Sequence, residues 1–194
     1  MSRLRGFASL VILVASLAAA ACGDPPEKEM QQAQAAIDAA RKAGAEQYAR
    51  EDLTAAQETL KRAREAVDQR DYRLALNHAL DSRERAQNAA TLAAEHKATA
   101  RTDAARALAD ASAALNDAQV KLKAAEVAHV AAGKLAEARA AIADGDRALQ
   151  KARATVGQGE YVGVPGTLSG VIARLHATAR DLDALVSSSP RRHR

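Results

Sequence analysis

Few side chains in this sequence could carry out chemistry, and they are widely separated. Cys22 is the only cysteine among the 194 residues, so the chain cannot form an internal disulfide or a metal site of several thiolates. The five histidines occur singly, without a second His or Cys at metal-ligand spacing, at His78, His96, His129, His176 and His193. The sequence therefore predicts no metal site and no other cofactor.

The patterns that usually mark a catalytic centre are incomplete. Ser169 lies in Gly-Thr-Leu-Ser-Gly (166–170), which lacks the Gly-x-Ser-x-Gly spacing of a nucleophile turn. Asp144 and Asp146 flank Gly145, but two carboxylates are too few for a calcium loop. The glycine-rich stretch 157–166 follows a predicted helix and has no Lys-Ser or Lys-Thr end, unlike a phosphate-binding loop. We expect no catalytic residues and no enzymatic activity.

The first 21 residues have the pattern of a secretory signal peptide. Arg3 and Arg5 supply the positive start, residues 10–17 the apolar stretch, and the alanines at 18–21 the cleavage region. The apolar stretch is shorter than the roughly 20 residues that span a bilayer. We predict that residues 1–21 are removed from the mature protein.

The position of the cysteine adds a second prediction. The small residues Ala19, Ala20 and Ala21 directly before Cys22 resemble a bacterial lipobox. That resemblance implies cleavage between Ala21 and Cys22, an S-diacylglycerol on the thiol, and an N-acyl chain such as palmitate on the new amino group. The usual Leu three positions before the cysteine is replaced by Ala19. The alternative is an ordinary signal peptide with an incidental cysteine.

A lipidated Cys22 would tether the chain to a membrane. Two or three acyl chains make a stable anchor, whereas one binds only marginally. Residues 22–29 would then form the lipidated start and a flexible spacer. Gly23 follows the cysteine, where Asp favours the inner membrane in enteric bacteria, so the expected location is the outer membrane facing the periplasm.

The net charge gives no sign of a nucleic-acid partner. The formal charge of the chain is +4. Arg3 and Arg5 lie in the predicted signal peptide, and three more arginines lie in residues 188–194, which we expect to be a disordered basic tail. The remaining body is close to charge balance, so we expect no binding to nucleic acid.

Composition and periodicity predict an all-α fold. About a quarter of the residues are Ala, the best helix former, and aromatic residues make up 2%. Apolar residues recur at alternating spacings of three and four, the pattern of helices packed nearly parallel or antiparallel. We call the line of residues at these spacings the seam of a helix. Seams occur in residues 33–40, 53–67, 86–125, 135–156 and 168–186, and the third includes Lys97.

Breaks between the predicted helices are few. Gly44, residues 69–72, Gly133 and the Gly/Pro-rich stretch 157–166 mark turns or helix starts. Residues 72–132 contain neither Gly nor Pro, which predicts one long helix. The alternative is a break at residues 99–103, where Thr102 or Asp103 could cap a new helix.

The sequence also repeats itself. Ala-Arg-x-x-Val-x-Gln-x-x-Tyr occurs at 63–72 and again at 152–161, and two earlier blocks match in the same order. Between the last two matched blocks the offset grows from 82 to 89 residues, an insertion of two helical turns that keeps the apolar spacing in phase. Either the chain arose by duplication or alanine-rich heptads match by chance. We predict an elongated antiparallel bundle or coiled coil of two related three-helix units, residues 30–100 and 101–187, sharing a long central helix.

One stretch resembles a known family. Residues 32–95 contain Ala-Gly-Ala-x-x-Tyr-Ala at 43–49, the run Leu53-x-x-Ala56-x-x-x-Leu60-x-x-Ala63, and Asp71-Tyr72-x-x-Ala75. They resemble the bacterial domain-of-unknown-function 4398 family. The resemblance implies an envelope location and a helical bundle, and it supplies no activity or site residues. Many members have Pro after the Tyr-Ala pair, where this chain has Arg50.

These expectations combine into one functional hypothesis and two alternatives. The first is a membrane-anchored periplasmic lipoprotein that acts as a non-enzymatic helical scaffold or interaction module and binds an envelope protein. The second is a binder or carrier of an envelope lipid or peptidoglycan fragment, which needs a cavity between helices. The third, an enzyme, has no residues in the sequence to support it.

Overall fold

The computed structural model describes residues 24–188, and the predicted all-α fold is confirmed. Six helices occur in this range, and residues 24–188 contain no strand. They are α1 (Glu27–Lys42), α2 (Ala45–Tyr48), α3 (Arg50–Asp68), α4 (Tyr72–Val127), α5 (Ala132–Gly157) and α6 (Val164–Ser188). The predicted signal peptide, the cleavage and lipidation residues Ala21 and Cys22, and nearly all of the predicted basic tail lie outside the described residues.

The helices form two compact units that meet within α4. Unit 1 extends to His96 and contains α1, α2, α3 and the first part of α4; unit 2 begins at Lys97 and contains the rest of α4, α5 and α6. Each unit therefore has three long helices, and α4 contributes one to each.

The core of unit 1 consists mainly of alanine with a few larger side chains. Ile37, Leu53 and Leu60 are at most 4% exposed, and alanines of α1, α3 and α4 fill the spaces between them. Alanine allows the helices to approach closely, while each buried Leu or Ile contributes about 1.5–3 kcal/mol. The predicted seams of α1 and α3 are confirmed, because their members are buried except for Val67, which is half-buried.

In the part of α4 in unit 1 the predicted seam is confirmed at Ala86 and Ala93 and is one residue off at Ala90. The buried residues of this part are Ala75, Ala79, Ser82, Ala86, Ala89 and Ala93, with spacings of four and three throughout. Ala89, rather than the predicted Ala90, belongs to this seam. Ser82 is fully buried among the alanines, and its Oγ donates a hydrogen bond to the carbonyl oxygen of Ala56 in α3 at 2.8 Å.

Unit 2 has a larger share of leucine in its core. Leu149, Leu168 and Leu175 are at most 2% exposed and pack in one cluster with alanines of α4. A second cluster holds Leu135 of α5 and Leu182 of α6. The predicted seams of α5 and α6 are confirmed, with a few members half-buried.

The predicted seam is wrong in the middle of α4. Lys97 is exposed, and residues 94–103 contain no buried side chain. No side chain of this stretch enters either buried cluster, although His96 contacts the end of α2. The helix nevertheless continues, since residues 99–103 are helical and the alternative break is absent.

Two predicted boundaries also differ from the observed ones. The long helix ends at Val127 rather than near residue 132, because His129 adopts a left-handed conformation with φ 57° and closes the helix without glycine. Pro165 belongs to the first turn of α6 rather than to a loop. Proline is tolerated there because the first helical N–H groups have no partner within the helix.

The turn after α3 in unit 1 and the turn after α5 in unit 2 have the same backbone conformation at each position. Gln69 and Gln158 end α3 and α5 with nearly identical angles, φ −81° and −82°. The next residues, Arg70 and Gly159, are both left-handed. In both turns the following N–H then bonds a carbonyl five residues earlier. The end of α4 has the same geometry, with His129 left-handed and the N–H of Val130 bonded to the carbonyl of Ala125, so these turns share a common helix-ending motif.

The helix lengths locate the insertion predicted from the repeat. α3 has 19 residues and α5 has 26, a difference of seven. The extra residues therefore lie within α5. Seven residues correspond to two turns of a packed helix, so the apolar face of α5 stays directed at its neighbours.

Candidate functional site

The histidines singled out in the sequence are separated in the structure. His96 Nδ1 lies 2.7 Å from the carbonyl oxygen of Tyr48, which links α4 to the end of α2. His129 closes α4, and His176 lies on α6 beside a groove that also borders Asp110 and Asp117. Between residues 24 and 188 no three His, Cys, Asp or Glu side chains are placed to hold a metal ion. His193 lies outside the described residues.

The two carboxylates around Gly145 take part in surface contacts. Asp144 forms ion pairs with Arg147 on the same helix and with Arg174 of α6, the latter at 3.5 Å. Asp146 accepts a hydrogen bond from Gln150 Nε2 at 2.7 Å. These partners orient both carboxylates along the surface of unit 2.

Gly145 itself is a packing residue. A Cβ at this position would lie 3.0 Å from Leu175 Cδ2, closer than ordinary van der Waals contact. The absent side chain lets α5 approach α6 at the fully buried Leu175.

Ser169 comes closest to a nucleophile pattern in the sequence, but its hydroxyl hydrogen-bonds within its own helix. Ser169 is exposed, and its Oγ donates to the carbonyl oxygen of Gly166 at 2.8 Å. This hydrogen bond lies within the first turns of α6 and is a local contact of a serine side chain with its own backbone.

One ion pair in unit 2 changes a pKa. Lys121 of α4 hydrogen-bonds to Asp183 of α6, and this bond raises the pKa of Lys121 above its ordinary value of 10.5. The negative charges of Asp183 and Asp117 act in the same direction, while burial acts against them. The pair therefore joins α4 to α6 at a point where both side chains still contact solvent.

A mainly apolar opening lies at the start of α1. This α1–α3 groove has a volume of about 420 Å³ and is lined by Pro25, Glu27, Met30, Gln31, Gln34, Arg64 and Val67. Met30 and Val67 are half-buried apolar side chains on α1 and α3. On the polar side, Arg64 Nη2 donates to Gln34 Oε1 at 3.0 Å.

Sequence inspection missed this groove because it began the α1 seam at Ala33. Met30 extends that seam upstream, since positions 30, 33, 37 and 40 keep spacings of three, four and three. Val67 is the last member of the α3 seam. The seams of α1 and α3 therefore end at the same place, with Met30 and Val67 only half-buried there.

A smaller groove in unit 2 is charged rather than apolar. It has a volume of about 180 Å³ between α5 and α6, and Lys134, Glu137, Arg174 and Asp181 line it among alanines and leucines. Two basic and two acidic side chains favour neither an anionic nor a cationic ligand.

The comparison with protein families bears on unit 1. Residues 28–105 match the family model described as Domain of unknown function (DUF4398). This part of the chain is therefore similar to the DUF4398 family. The resemblance predicted from residues 32–95 is therefore confirmed, and the match extends it at both ends.

The matched region covers nearly all of the described residues of unit 1 and continues into α4 beyond His96. The match covers fewer than half of the 194 residues, and α5 and α6 lie outside it. No curated protein and no solved structure matches the chain. No helix among residues 24–188 is both long and apolar enough to cross a membrane.

Proposed function

We propose that this protein is a lipid-anchored envelope protein in which two helical units form a non-enzymatic scaffold for a protein partner. The anchor is Cys22, the membrane is the outer membrane, and the helical units face the periplasm. The region similar to the DUF4398 family is the part nearer to the anchor in the sequence.

The observation that carries the proposal is the short distance in sequence between Cys22 and the folded chain. α1 begins at Glu27, so only residues 23–26 separate the proposed lipid attachment point from a helix. Gly23 and the two prolines at 25 and 26 suit a connection that ends in a helix start. A lipid on Cys22 would hold unit 1 directly at the membrane.

The distribution of side chains supports a scaffold. In both units the apolar residues pack inwards along the helix seams, while charged residues face outwards. Several of these form exposed pairs along one helix, such as Arg41 with Asp38 and Arg85 with Asp81. Such pairs add little stability, and they leave polar helix faces on which a partner can dock.

The anchor is tested by changing the cysteine. Cells producing the wild-type chain or Cys22→Ser are labelled with a palmitate analogue and separated into soluble and membrane fractions. We expect labelling and membrane association of the wild type and neither for Cys22→Ser. Ala19→Leu, which restores the usual lipobox residue, is the matched control and should be labelled at least as well as the wild type. Membrane association of Cys22→Ser equal to the wild type would refute the anchor.

The scaffold is tested by site-directed crosslinking in intact envelopes. A photoreactive side chain is placed at exposed positions of each unit, including Gln87 of α4 and Arg153 of α5. We expect crosslinks to an envelope protein from positions that share one face and none from the opposite face. Crosslinked envelopes that yield no protein partner from either unit would refute the proposal.

A second candidate function is the carriage of an envelope lipid or peptidoglycan fragment. The α1–α3 groove favours it, because the groove is apolar on one side and polar on the other. A lipid or muropeptide that co-purifies with the folded chain, and is lost on Met30→Glu, would support this function.

A further inference from the structure

Partly uncovered apolar side chains lie at one end of unit 1. Met30 and Val67 line the α1–α3 groove together with Pro25. The turn at residues 69–71 follows Val67, and Leu74, in the first turn of α4 after it, is 39% exposed. This end, called the proximal end below, comprises residues 24–30 and 64–74.

The covalent chain fixes how far the proximal end can lie from Cys22. Pro25 follows Cys22 by three residues, and three extended residues reach at most about 11 Å. Pro25 is itself part of the groove. Any acyl group on Cys22 therefore keeps Pro25, at the edge of the groove, within about 11 Å of the anchored thiol, a distance comparable to the roughly 5–8 Å headgroup layer of one leaflet.

We propose that the proximal end of unit 1 is seated in the membrane interface, with Met30 and Val67 against phospholipid at the boundary of headgroups and acyl chains. This inference rests on the lipid anchor proposed above. Apolar faces enter this boundary to a depth of about 5–10 Å, which a groove tethered this closely can reach. The anchor and the groove then act as two contacts with the same surface.

The charges of the proximal end indicate which lipid it fits. Residues 24–30 and 64–74 contain four Lys and Arg and six Asp and Glu. A small excess of negative charge is repelled by anionic lipids at low salt and screened at higher salt. The contact is therefore apolar in origin and suits a zwitterionic phospholipid surface.

The composition of the chain allows a direct experiment. Because Cys22 is the only cysteine, the chain from Cys22 onwards can be coupled through that thiol to a maleimide headgroup lipid in phosphatidylcholine vesicles. The chain has no tryptophan, so Met30→Trp introduces a single fluorescent reporter in the groove. The matched control is Gln47→Trp, which is exposed in α2, beyond the 16 residues of α1 or about 24 Å along that helix.

We expect the emission of Met30→Trp to shift to shorter wavelength on coupling and to be quenched by phospholipids brominated in their acyl chains. Gln47→Trp should show neither change. Circular dichroism establishes that each variant keeps its helix content, and Val67→Trp replaces Met30→Trp if the latter does not fold. Tryptophans at 30 and 67 that remain as accessible to aqueous acrylamide after coupling as before it would overturn the proposal.

The same preparation distinguishes the seated groove from the lipid anchor and from lipid carriage. Chemical coupling replaces the natural lipid, so failure of insertion with normal palmitate labelling of Cys22 refutes only the seated groove. Insertion without natural labelling refutes only the proposed anchor. Transfer of fluorescent phospholipid from vesicles into solution by a chain whose Cys22 is blocked would overturn the seated groove in favour of lipid carriage.

Discussion

At the scale of single residues, Ser82 combines a small side chain with a polar link between helices. Its position in the α4 seam is otherwise occupied by alanine, and its Oγ reaches the backbone of α3. The carbonyl of Ala56 retains its place in the α3 helix whether or not Ser82 is present. The hydroxyl therefore adds an interaction without being required to satisfy a buried acceptor.

We predict that Ser82→Ala lowers the free energy of unfolding of unit 1 by about 1 kcal/mol, the usual net value of one hydrogen bond. Chemical denaturation monitored by circular dichroism measures this change. Ser169→Ala is the matched control, because Ser169 is exposed and bonds only within its own helix, and it should change stability by less than about 0.5 kcal/mol. An equal loss in both variants would contradict the assigned role of Ser82.

The raised pKa of Lys121 leads to a pH-dependent prediction. The folded protein holds the Lys121 proton more tightly than the unfolded chain, so the pair with Asp183 stabilises the fold fully below pH 10.5. This contribution is lost as the pH rises through the raised pKa. We expect Asp183→Asn to lower the thermal midpoint near neutral pH and to match the wild type at strongly alkaline pH.

Salt provides the control for this pair. The side chains of Lys121 and Asp183 are 28% and 56% exposed, so added salt should reduce the difference between wild type and Asp183→Asn at neutral pH. A difference that persists at alkaline pH and at high salt would indicate a contribution of Asp183 other than the ion pair.

At the scale of helices, the approach of α5 to α6 depends on one missing side chain. Replacing glycine by alanine inside a helix usually gains up to about 1 kcal/mol. At Gly145 the added Cβ would meet Leu175 at 3.0 Å, and Leu175 is fully enclosed by the core of unit 2. The packing penalty of an overfilled core, about 1–3 kcal/mol, exceeds the gain.

We therefore predict that Gly145→Ala destabilises unit 2, whereas Gly170→Ala stabilises it. Gly170 lies in α6, and a Cβ added there would meet no atom within 4 Å, so only the helix preference acts. Thermal unfolding of the two variants beside the wild type tests the opposite signs. Stabilisation by both substitutions would show that Leu175 moves aside readily.

The helical elements also show where sequence patterns suffice and where they do not. Spacings of three and four located the buried faces of α1, α3, α5 and α6, because one dominant contact surface decides which residues are apolar. They failed at Lys97 of α4, since alanines continue through a stretch in which no side chain is buried. They also missed the end of α4, because the left-handed conformation fell on His129 rather than on glycine.

The candidate site was less accessible to sequence analysis than the fold. The lipobox resemblance identifies Cys22 by local sequence alone. The α1–α3 groove instead requires knowing that Met30 and Val67, 37 positions apart in sequence, lie at the same end of two packed helices. The spacing pattern shows that each residue is apolar. It does not show at which end of the packed helices such residues stay partly exposed.

At the scale of the whole molecule, the two units have separate cores. The buried clusters of unit 1 contain no residue beyond Ala93, and those of unit 2 begin at Ala104. Leu60 and Leu175 are each at most 2% exposed in their respective cores. A truncation in one core should therefore leave the stability of the other nearly unchanged.

We predict that Leu60→Ala destabilises unit 1 and Leu175→Ala destabilises unit 2, each by about 2–5 kcal/mol. Amide hydrogen exchange followed by mass spectrometry assigns the loss of protection to helices. Leu80→Ala, at a side chain that is 39% exposed, is the control and should alter protection little. Loss of protection throughout both units in either core variant would show that they unfold as one.

The stretch of α4 without buried residues has a consequence for how such chains can change length. Within the packed helical stretches of either unit, an insertion must preserve the apolar face of its helix, as the seven additional residues of α5 do. Residues 97–103 face no such requirement, because none of their side chains is buried. Related chains should therefore differ by multiples of seven residues inside the packed helices, and by any number of residues at this junction.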